Sequence, residues 1–253
     1  MPGMSAIARS IGALVDLFLP RGCPACDHAL DGDDGPFCVA CALAIGRDGG
    51  QDYCSRCGTT AEPYLVAAAG CPQCREFRVK PDAMARAGTY GGPVGELVKQ
   101  LKFRGRQRLD DPLGGLLAEA LRRYVPIDDL DALVPVPEDW GSWWRYRFHP
   151  AGALARCVGR RLGVPVIPVV RMARRHRRQA PLPASERIRN VRGAFRTARG
   201  ARLEGACVCV IDDVSTTGAT LREMTRVLKD AGAERVFAGV AAKTQLGVDD
   251  YPE

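Results

Sequence analysis

The chain has 253 residues and a formal net charge of +7, which is enough length for a sizeable core and two domains. No apolar run reaches the roughly 18 residues that a membrane-spanning helix needs, so we predict no transmembrane segment. Residues 1–80 carry 7 Lys or Arg against 9 Asp or Glu, whereas residues 81–253 carry 29 against 20. A polyanionic partner should therefore meet the second part of the chain first.

The first segment, residues 1–20, is predicted to form an amphipathic helix. Its apolar side chains share one helical face: Ile7, Ile11, Leu14, Val15 and Phe18. We expect this face to pack on the protein's own surface. A peripheral contact with lipid is the alternative, although the polar face has few of the Lys and Arg residues typical of such helices.

Eight of the 11 cysteines form four Cys-x-x-Cys pairs, within a small module that we predict to span residues 21–80. One such turn offers two thiolates to a metal ion, and two turns complete a tetrahedral four-thiolate zinc site. The eight predicted ligands are Cys23, Cys26, Cys38, Cys41, Cys54, Cys57, Cys71 and Cys74. They would fill two structural zinc sites and leave no open position for catalysis. Paired thiols of this kind indicate a reducing compartment, so we expect a cytoplasmic location.

Two ways of pairing the four turns are open, sequential and interleaved. Sequential pairing closes the shortest loops and is favoured for that reason. A redox or disulfide role for one pair is the alternative to zinc. His28 lies beside the first turn but is not needed as a ligand. Because the module is slightly acidic, we favour docking to a protein, or an intramolecular brace, over contact with nucleic acid.

The second predicted domain spans residues 81–253 and alternates strands with helices, a pattern typical of α/β folds with a parallel sheet. The predicted strands cover residues 83–90, 132–137 and 164–170, and the predicted helices cover residues 93–103, 113–124 and 152–162. The end of the first helix is basic, with Lys99, Lys102, Arg104, Arg106 and Arg108. This charge indicates either a solvated face or contact with phosphate or nucleic acid.

Residues 208–220 carry the strongest functional signal. Four apolar residues predict a buried strand, and the adjacent carboxylates of Asp212 and Asp213 follow at its carboxyl end. Small and hydroxyl-bearing residues come next, just before a predicted helix: Ser215, Thr216, Thr217, Gly218 and Thr220. Carboxylates accept hydrogen bonds from a sugar diol, while hydroxyls and the N–H groups of a helix start bind phosphate. A Rossmann-like turn with an incidental acidic pair is the alternative.

These thirteen residues resemble the signature of type I phosphoribosyltransferases, which bind phosphoribosyl pyrophosphate (PRPP) with magnesium. The resemblance implies a parallel sheet flanked by helices, preceded here by the double zinc ribbon. It also implies that Pro135, Val136 and Pro137 form the pyrophosphate loop. A mobile loop would follow residue 170, with basic or polar candidates Arg174, Arg175, Arg177, Arg178, Gln179, Arg187 and Asn190.

The order of all these motifs resembles the ComF family, whose members join a double zinc ribbon to a phosphoribosyltransferase-like domain and are linked to DNA uptake in natural competence. Residues 185–195 match a segment typical of that family. The resemblance implies competence-machinery proteins as partners of the zinc module. The chain departs from the family at residues 146–150, which read Tyr-Arg-Phe-His-Pro in place of Arg-Gly-Phe-Asn-Gln.

Two functional hypotheses follow. In the first, the protein is a PRPP-binding transferase with an unknown acceptor and no assigned catalytic residue. Some relatives acting on 6-oxopurines carry an acidic base where this chain has Thr216, so those acceptors are disfavoured. In the second, it is a non-catalytic adaptor that binds single-stranded DNA and is regulated by PRPP or a nucleotide. Trp140, Trp143 and Trp144 stand beside two arginines and fit base stacking, a lid or a dimer contact equally well.

Overall fold

A computed structural model of the protein describes residues 22–30, 35–61, 71–72, 74–75, 77–103, 107–138, 149–173 and 191–245. The predicted helix over residues 1–20 and the tryptophan cluster lie outside these residues. So do the candidates for the mobile loop: Arg174, Arg175, Arg177, Arg178, Gln179, Arg187 and Asn190. The predicted boundary between residues 80 and 81 stays a prediction.

Within the described residues the protein is an α/β structure. Its helices are α1 (Val39–Gly49), α2 (Pro93–Phe103), α3 (Asp110–Tyr124), α4 (Pro150–Leu162) and α5 (Ala219–Asp230). Its strands are β1 (Met84–Thr89), β2 (Ala132–Pro135), β3 (Val170–Met172), β4 (Phe195–Thr197), β5 (Cys207–Ser215) and β6 (Arg235–Lys243). Short 3-10 turns cover Gln107–Leu109 and Ile127–Asp129.

The main sheet has the order β1-β6-β5-β2, and all its neighbouring strands are parallel. Helices cover both faces. On one face α2, α3 and α4 pack against alternate strand residues such as Cys209 and Ile211. On the other face α5 and the antiparallel pair β3–β4 pack against Val208 and Val210. The predicted fold class is therefore confirmed, and the apolar run in β5 is buried on both sides as a central parallel strand requires.

Two predicted strands differ in the structure. Strand β5 does not end before the acid pair but continues to Ser215, because its backbone pairing with β6 extends to Lys243. The strand predicted over residues 164–170 is wrong. Val166 forms only an isolated bridge with Leu133, and the chain then leaves the main sheet. Pro165 and Pro168 have no N–H to donate, which limits the pairing on either side of this bridge.

Asp48, near the end of α1, joins the first cysteine turn region to the sheet. Its side chain is buried, and its carboxylate accepts hydrogen bonds from the Thr89 N–H at 3.1 Å, the Thr89 hydroxyl at 2.7 Å and the Val94 N–H at 3.4 Å. A Cβ on Gly92 would lie 2.6 Å from the Asp48 Oδ2, so only glycine permits this approach. The carboxylate thus closes the junction of α1, β1 and α2.

We expect Asp48→Ala to lower the free energy of unfolding by about 3 kcal/mol, because it leaves buried N–H and hydroxyl donors without acceptors. Urea denaturation measures this loss. Asp52→Ala, at an exposed position a few residues away, is the matched control and should change stability by less than about 0.5 kcal/mol. Equal effects of the two substitutions would contradict the role given to Asp48.

Arg86 of β1 joins the sheet to the second pair of cysteine turns. This arginine is 1% exposed, and its guanidinium donates to the Gly58 carbonyl and to the Thr60 hydroxyl, both at 2.9 Å. It also lies 4.6 Å from the centre of the Tyr53 ring. Both halves of the cysteine module therefore contact the sheet, as an intramolecular brace requires.

Among the described residues, no helix combines the length and apolar character needed to cross a membrane.

Candidate functional site

The eight cysteines of the four turns form two compact groups. Cys23, Cys26, Cys38 and Cys41 form the first, and Cys54, Cys57, Cys71 and Cys74 form the second. Within each group all sulfur atoms lie within 4.8 Å of one another. The Cys54–Cys74 and Cys57–Cys71 sulfur pairs are 3.7 and 3.6 Å apart, close to the roughly 3.8 Å of thiolates on a tetrahedral zinc ion. The grouping is sequential, as loop closure predicted, and each group can hold one structural zinc ion.

The acid pair lies near the carboxyl end of β5, at the edge of the sheet where the parallel strands end. Asp213 is nearly buried, and its Oδ2 lies 2.7 Å from the Nζ of Lys102 near the end of α2. The carboxylate of Asp212 accepts the N–H of Asp213 at 2.9 Å. The pair therefore presents one carboxylate neutralised by a lysine and one held by the backbone.

Burial and then the neighbouring Asp213 carboxylate raise the pKa of Asp212 well above its ordinary value. Burial alone would lower the pKa of Lys102, but the charge and hydrogen bond of Asp213 outweigh it and raise that pKa. Ionising Asp212 therefore costs free energy in the protein without ligand. The ion pair between Lys102 and Asp213, by contrast, stabilises the folded protein. A ligand that donates hydrogen bonds to Asp212 would remove part of that cost.

Lys102→Met should lower the free energy of unfolding by about 1–3 kcal/mol, since it leaves the nearly buried Asp213 carboxylate without its cation. Because the folded-state pKa of Lys102 is raised, the loss should be complete at neutral pH and should fade only as the pH rises above the ordinary lysine value of 10.5. Urea denaturation at several pH values measures both features.

Lys99→Met is the matched control on the same helix. Its ion pair with Glu96 is more exposed, at 36% and 60%, than that of Lys102 and Asp213, at 27% and 11%. We expect the control to cost less than about 1 kcal/mol. If both lysines proved equally dispensable, the ion pair would have no part in holding the acid pair.

The segment of residues 215–220, called the 215–220 loop below, runs from the last residue of β5 into the first turn of α5. It brings the predicted phosphate-binding residues together: Ser215, Thr216, Thr217, Gly218 and Thr220. Gly218 has a φ of +73° and stands at the N-cap of α5, a conformation that favours glycine. The Ser215 hydroxyl is buried and has no hydrogen-bond partner in the part of the chain that is described. The first-turn N–H groups of a helix also lack carbonyl partners within the helix. The loop thus offers donors to an anion.

The predicted pyrophosphate loop begins at the same sheet edge, because Pro135 ends β2 in register with Ile211 of β5. The N–H of Val136 donates to the Ile211 carbonyl at 2.9 Å, and the Val136 carbonyl is 3.0 Å from the Nε2 of His149. A carbonyl only accepts, so Nε2 carries the proton. Burial lowers the pKa of His149, which favours the neutral ring. Pro137 follows Val136, so all three residues lie near the carboxyl end of the sheet.

Three contributors to the site were missed by sequence reasoning: Lys102 as the partner of Asp213, His149 as the partner of the Val136 carbonyl, and Lys243 at the end of β6. Lys243 donates to the Thr216 carbonyl at 2.6 Å and to the Thr244 carbonyl at 2.8 Å. Burial lowers the pKa of Lys243 to about 8. A lysine that ends a strand whose residues after Arg235 are all apolar or small is the sequence signal that could have identified it.

The chain is similar in sequence to known proteins. The chain is 30% identical to competence protein F of Haemophilus influenzae over 189 residues, which is 73% of this chain and 81% of that protein. It is 30% identical to the DNA utilization protein YhgH of Escherichia coli K12 over 235 residues, 90% of this chain and 99% of that protein. The similarity therefore extends over both the cysteine module and the sheet.

Among solved structures, the chain is similar to a purine phosphoribosyltransferase from Pyrococcus horikoshii. The sequence identity is 21% and the TM-score is 0.32, over 51% of this chain and 68% of that chain. No protein-family model matches the sequence.

Proposed function

The chain belongs to the ComF family of competence and DNA-utilization proteins, and from this premise we propose that it binds PRPP with magnesium at the carboxyl edge of its sheet in the service of DNA uptake. The observation that carries the proposal is the placement of Asp212 and Asp213 directly before the donor-rich loop of residues 215–220. Acceptors and donors in this order match a ribose that carries hydroxyls at one end and a phosphate at the other.

Each part of the site has a distinct task. The carboxylates of Asp212 and Asp213 accept hydrogen bonds from the ribose diol, while the ion pair with Lys102 holds the Asp213 carboxylate in place. The 5-phosphate lies against the N–H groups and hydroxyls at the start of α5, where the helix dipole adds about 0.3–1 kcal/mol. Pro135, Val136 and Pro137 border the pyrophosphate, and His149 fixes the Val136 carbonyl.

Magnesium, when bound, would neutralise charge on the pyrophosphate. If the protein is a transferase, the bond between the anomeric carbon and pyrophosphate breaks as an acceptor bonds to that carbon. The chain's own residues would position the ribose and stabilise the departing charge. The mobile-loop residues from Arg174 to Asn190 would assist, and this role remains a prediction, as do the cytoplasmic location and a docking partner for the zinc module.

Isothermal titration calorimetry with magnesium and PRPP tests the proposal. We expect one PRPP per chain, bound more tightly than ribose 5-phosphate or pyrophosphate alone, because the site engages both ends of PRPP. A screen for pyrophosphate release over a library of bases then separates a transferase from a binding protein. No heat from PRPP or from either fragment would overturn the assignment.

A second candidate function is the binding of single-stranded DNA. A cavity of about 240 Å³ lies beside the start of α5, and its lining includes Phe77, Arg78, Arg192 and Arg222. Arginines with an aromatic ring suit a phosphate backbone and a stacked base. Affinity for an oligo-dT strand should fall steeply with salt, because phosphate contacts release counterions. An affinity that is independent of salt would remove the electrostatic basis of this candidate.

A further inference from the structure

Two cations hold the backbone of the 215–220 loop from the protein side. Lys243, the last residue of β6, is 2% exposed and donates from Nζ to the Thr216 carbonyl at 2.6 Å. Arg222, in the first turns of α5, donates from its guanidinium to the Thr217 carbonyl at 2.8 Å. Two consecutive carbonyls of the loop therefore each accept a hydrogen bond from a cationic side chain.

Fixing a carbonyl also fixes the N–H of the next residue. A trans peptide is planar, and its C=O and N–H groups point in opposite directions. The Thr216 carbonyl points to Lys243, so the Thr217 N–H points away from it. The Thr217 carbonyl points to Arg222, so the Gly218 N–H points away from that guanidinium. The two cations thus turn two N–H donors toward the side of the loop that faces away from them, where an anion can bind.

The second cysteine group supports both cations. The Arg222 guanidinium lies 4.1 Å from the centre of the Phe77 ring. Phe77 in turn packs against the buried cysteines Cys54, Cys71 and Cys74. Gly58, directly after Cys57, lies beside the stem of Lys243: a Cβ added at Gly58 would be 3.7 Å from the Lys243 Cγ. The second ribbon, the part of the module built around Cys54, Cys57, Cys71 and Cys74, therefore lies beside each cation that holds the loop.

We propose that Lys243 and Arg222 are positioning residues that set the peptide planes of the phosphate-binding loop, and that the second cysteine ribbon holds them in place. This inference rests on the proposed function, because it assigns the 5-phosphate to the 215–220 loop. It gives the second ribbon a task that the first ribbon does not share: supporting the anion-binding backbone.

Lys243→Met and Arg222→Leu test the inference, with ribose 5-phosphate and pyrophosphate as separate probes in calorimetry. Each variant should bind ribose 5-phosphate about tenfold more weakly or worse, as expected for losing one charged hydrogen bond. Pyrophosphate should bind as it does to the parent protein, because its predicted loop is on β2. General unfolding would weaken both probes, so the split between them separates positioning from stability. Arg222→Lys should recover part of the lost affinity.

Matched controls use the same residue types away from the loop. Lys229→Met removes a lysine that donates to the Glu234 carbonyl, and Arg226→Leu removes an arginine one turn beyond Arg222 that pairs with Glu223 and Asp230. Both controls should bind ribose 5-phosphate like the parent. Phe77→Leu should speed hydrogen exchange in the peptide that contains residues 216–221, whereas Phe37→Leu in the first ribbon should not.

The possible outcomes distinguish a failure of the positioning role from a failure of the proposed function. If the parent protein binds PRPP and ribose 5-phosphate but Lys243→Met and Arg222→Leu bind them equally well, the positioning role is wrong and the proposed function stands. If the variants lose both probes in proportion, their effect is structural and the inference is overturned. If the parent itself binds neither PRPP nor its fragments, the proposed function falls and this inference falls with it.

Discussion

Asp212→Asn should weaken PRPP binding and at the same time stabilise the free protein. The first effect follows because an amide is a poorer acceptor for the ribose hydroxyls than a carboxylate. A hydrogen bond to a charged group contributes about 1.5–3 kcal/mol, so the affinity should fall about 10- to 100-fold. Calorimetry measures the affinity.

The second effect follows from the sign of the pKa shift. Burial and the Asp213 charge raise the folded-state pKa of Asp212, so ionisation of Asp212 favours the unfolded chain and its cost grows as the pH rises above the ordinary carboxyl pKa. A neutral asparagine removes this cost, and we expect a gain of about 0.5–2 kcal/mol near pH 8. The gain should vanish below about pH 4, where aspartate is protonated in both states. Urea denaturation across this pH range measures it.

Asp128→Asn is the matched control, because Asp128 is an exposed aspartate of the 3-10 turn before β2. It should change neither the affinity nor the stability measurably. An Asp212→Asn protein that bound PRPP like the parent would contradict the site, and one that lost stability near pH 8 would contradict the electrostatic reasoning.

Cys54→Ser should remove one of two zinc ions and unfold the second ribbon. Cys54 is fully buried within its group of four sulfur atoms, and zinc contributes about 10–16 kcal/mol in small zinc-binding domains. No apolar cluster of comparable size replaces it, because the described neighbours of that group are the cysteines themselves and Phe77. Metal analysis should give about two zinc ions per parent chain and one per variant, and thermal denaturation should show a lower melting temperature.

Cys207→Ser is the control for the zinc prediction. Cys207 begins β5 and belongs to neither cysteine group. The control protein should keep both zinc ions and a nearly unchanged melting temperature. Retention of both ions by the Cys54→Ser protein, or a metal-free parent protein of full stability, would contradict a structural role for zinc.

The parts of the fold that the sequence predicts well depend on short-range patterns. The spacing of the cysteine pairs identifies the metal ligands and favours the sequential pairing, and the apolar run before Asp212 identifies a buried strand. The repeat of Leu221, Met224 and Leu228 identifies α5. In each case the residues that decide the structure lie within one turn, one strand or one short loop of each other.

The missed features depend on contacts between distant residues. Lys102 and Asp213 are in contact although they are 111 positions apart in the sequence, and Asp48 and Thr89 are 41 positions apart. No pattern near Lys102 distinguishes it from the other cations of the same basic run, so its partner emerges only once α2 packs beside β5. The strand predicted over residues 164–170 failed for a local reason, since its apolar pattern outweighed two prolines that limit backbone pairing.

A crystal structure of the protein with magnesium and PRPP tests the central claim most directly. We expect the ribose hydroxyls within about 3 Å of the Asp212 and Asp213 carboxylates. The 5-phosphate should accept hydrogen bonds from the N–H groups of Thr217 and Gly218 and from the start of α5. A PRPP molecule bound elsewhere, or one whose phosphate does not touch the 215–220 loop, would contradict the account.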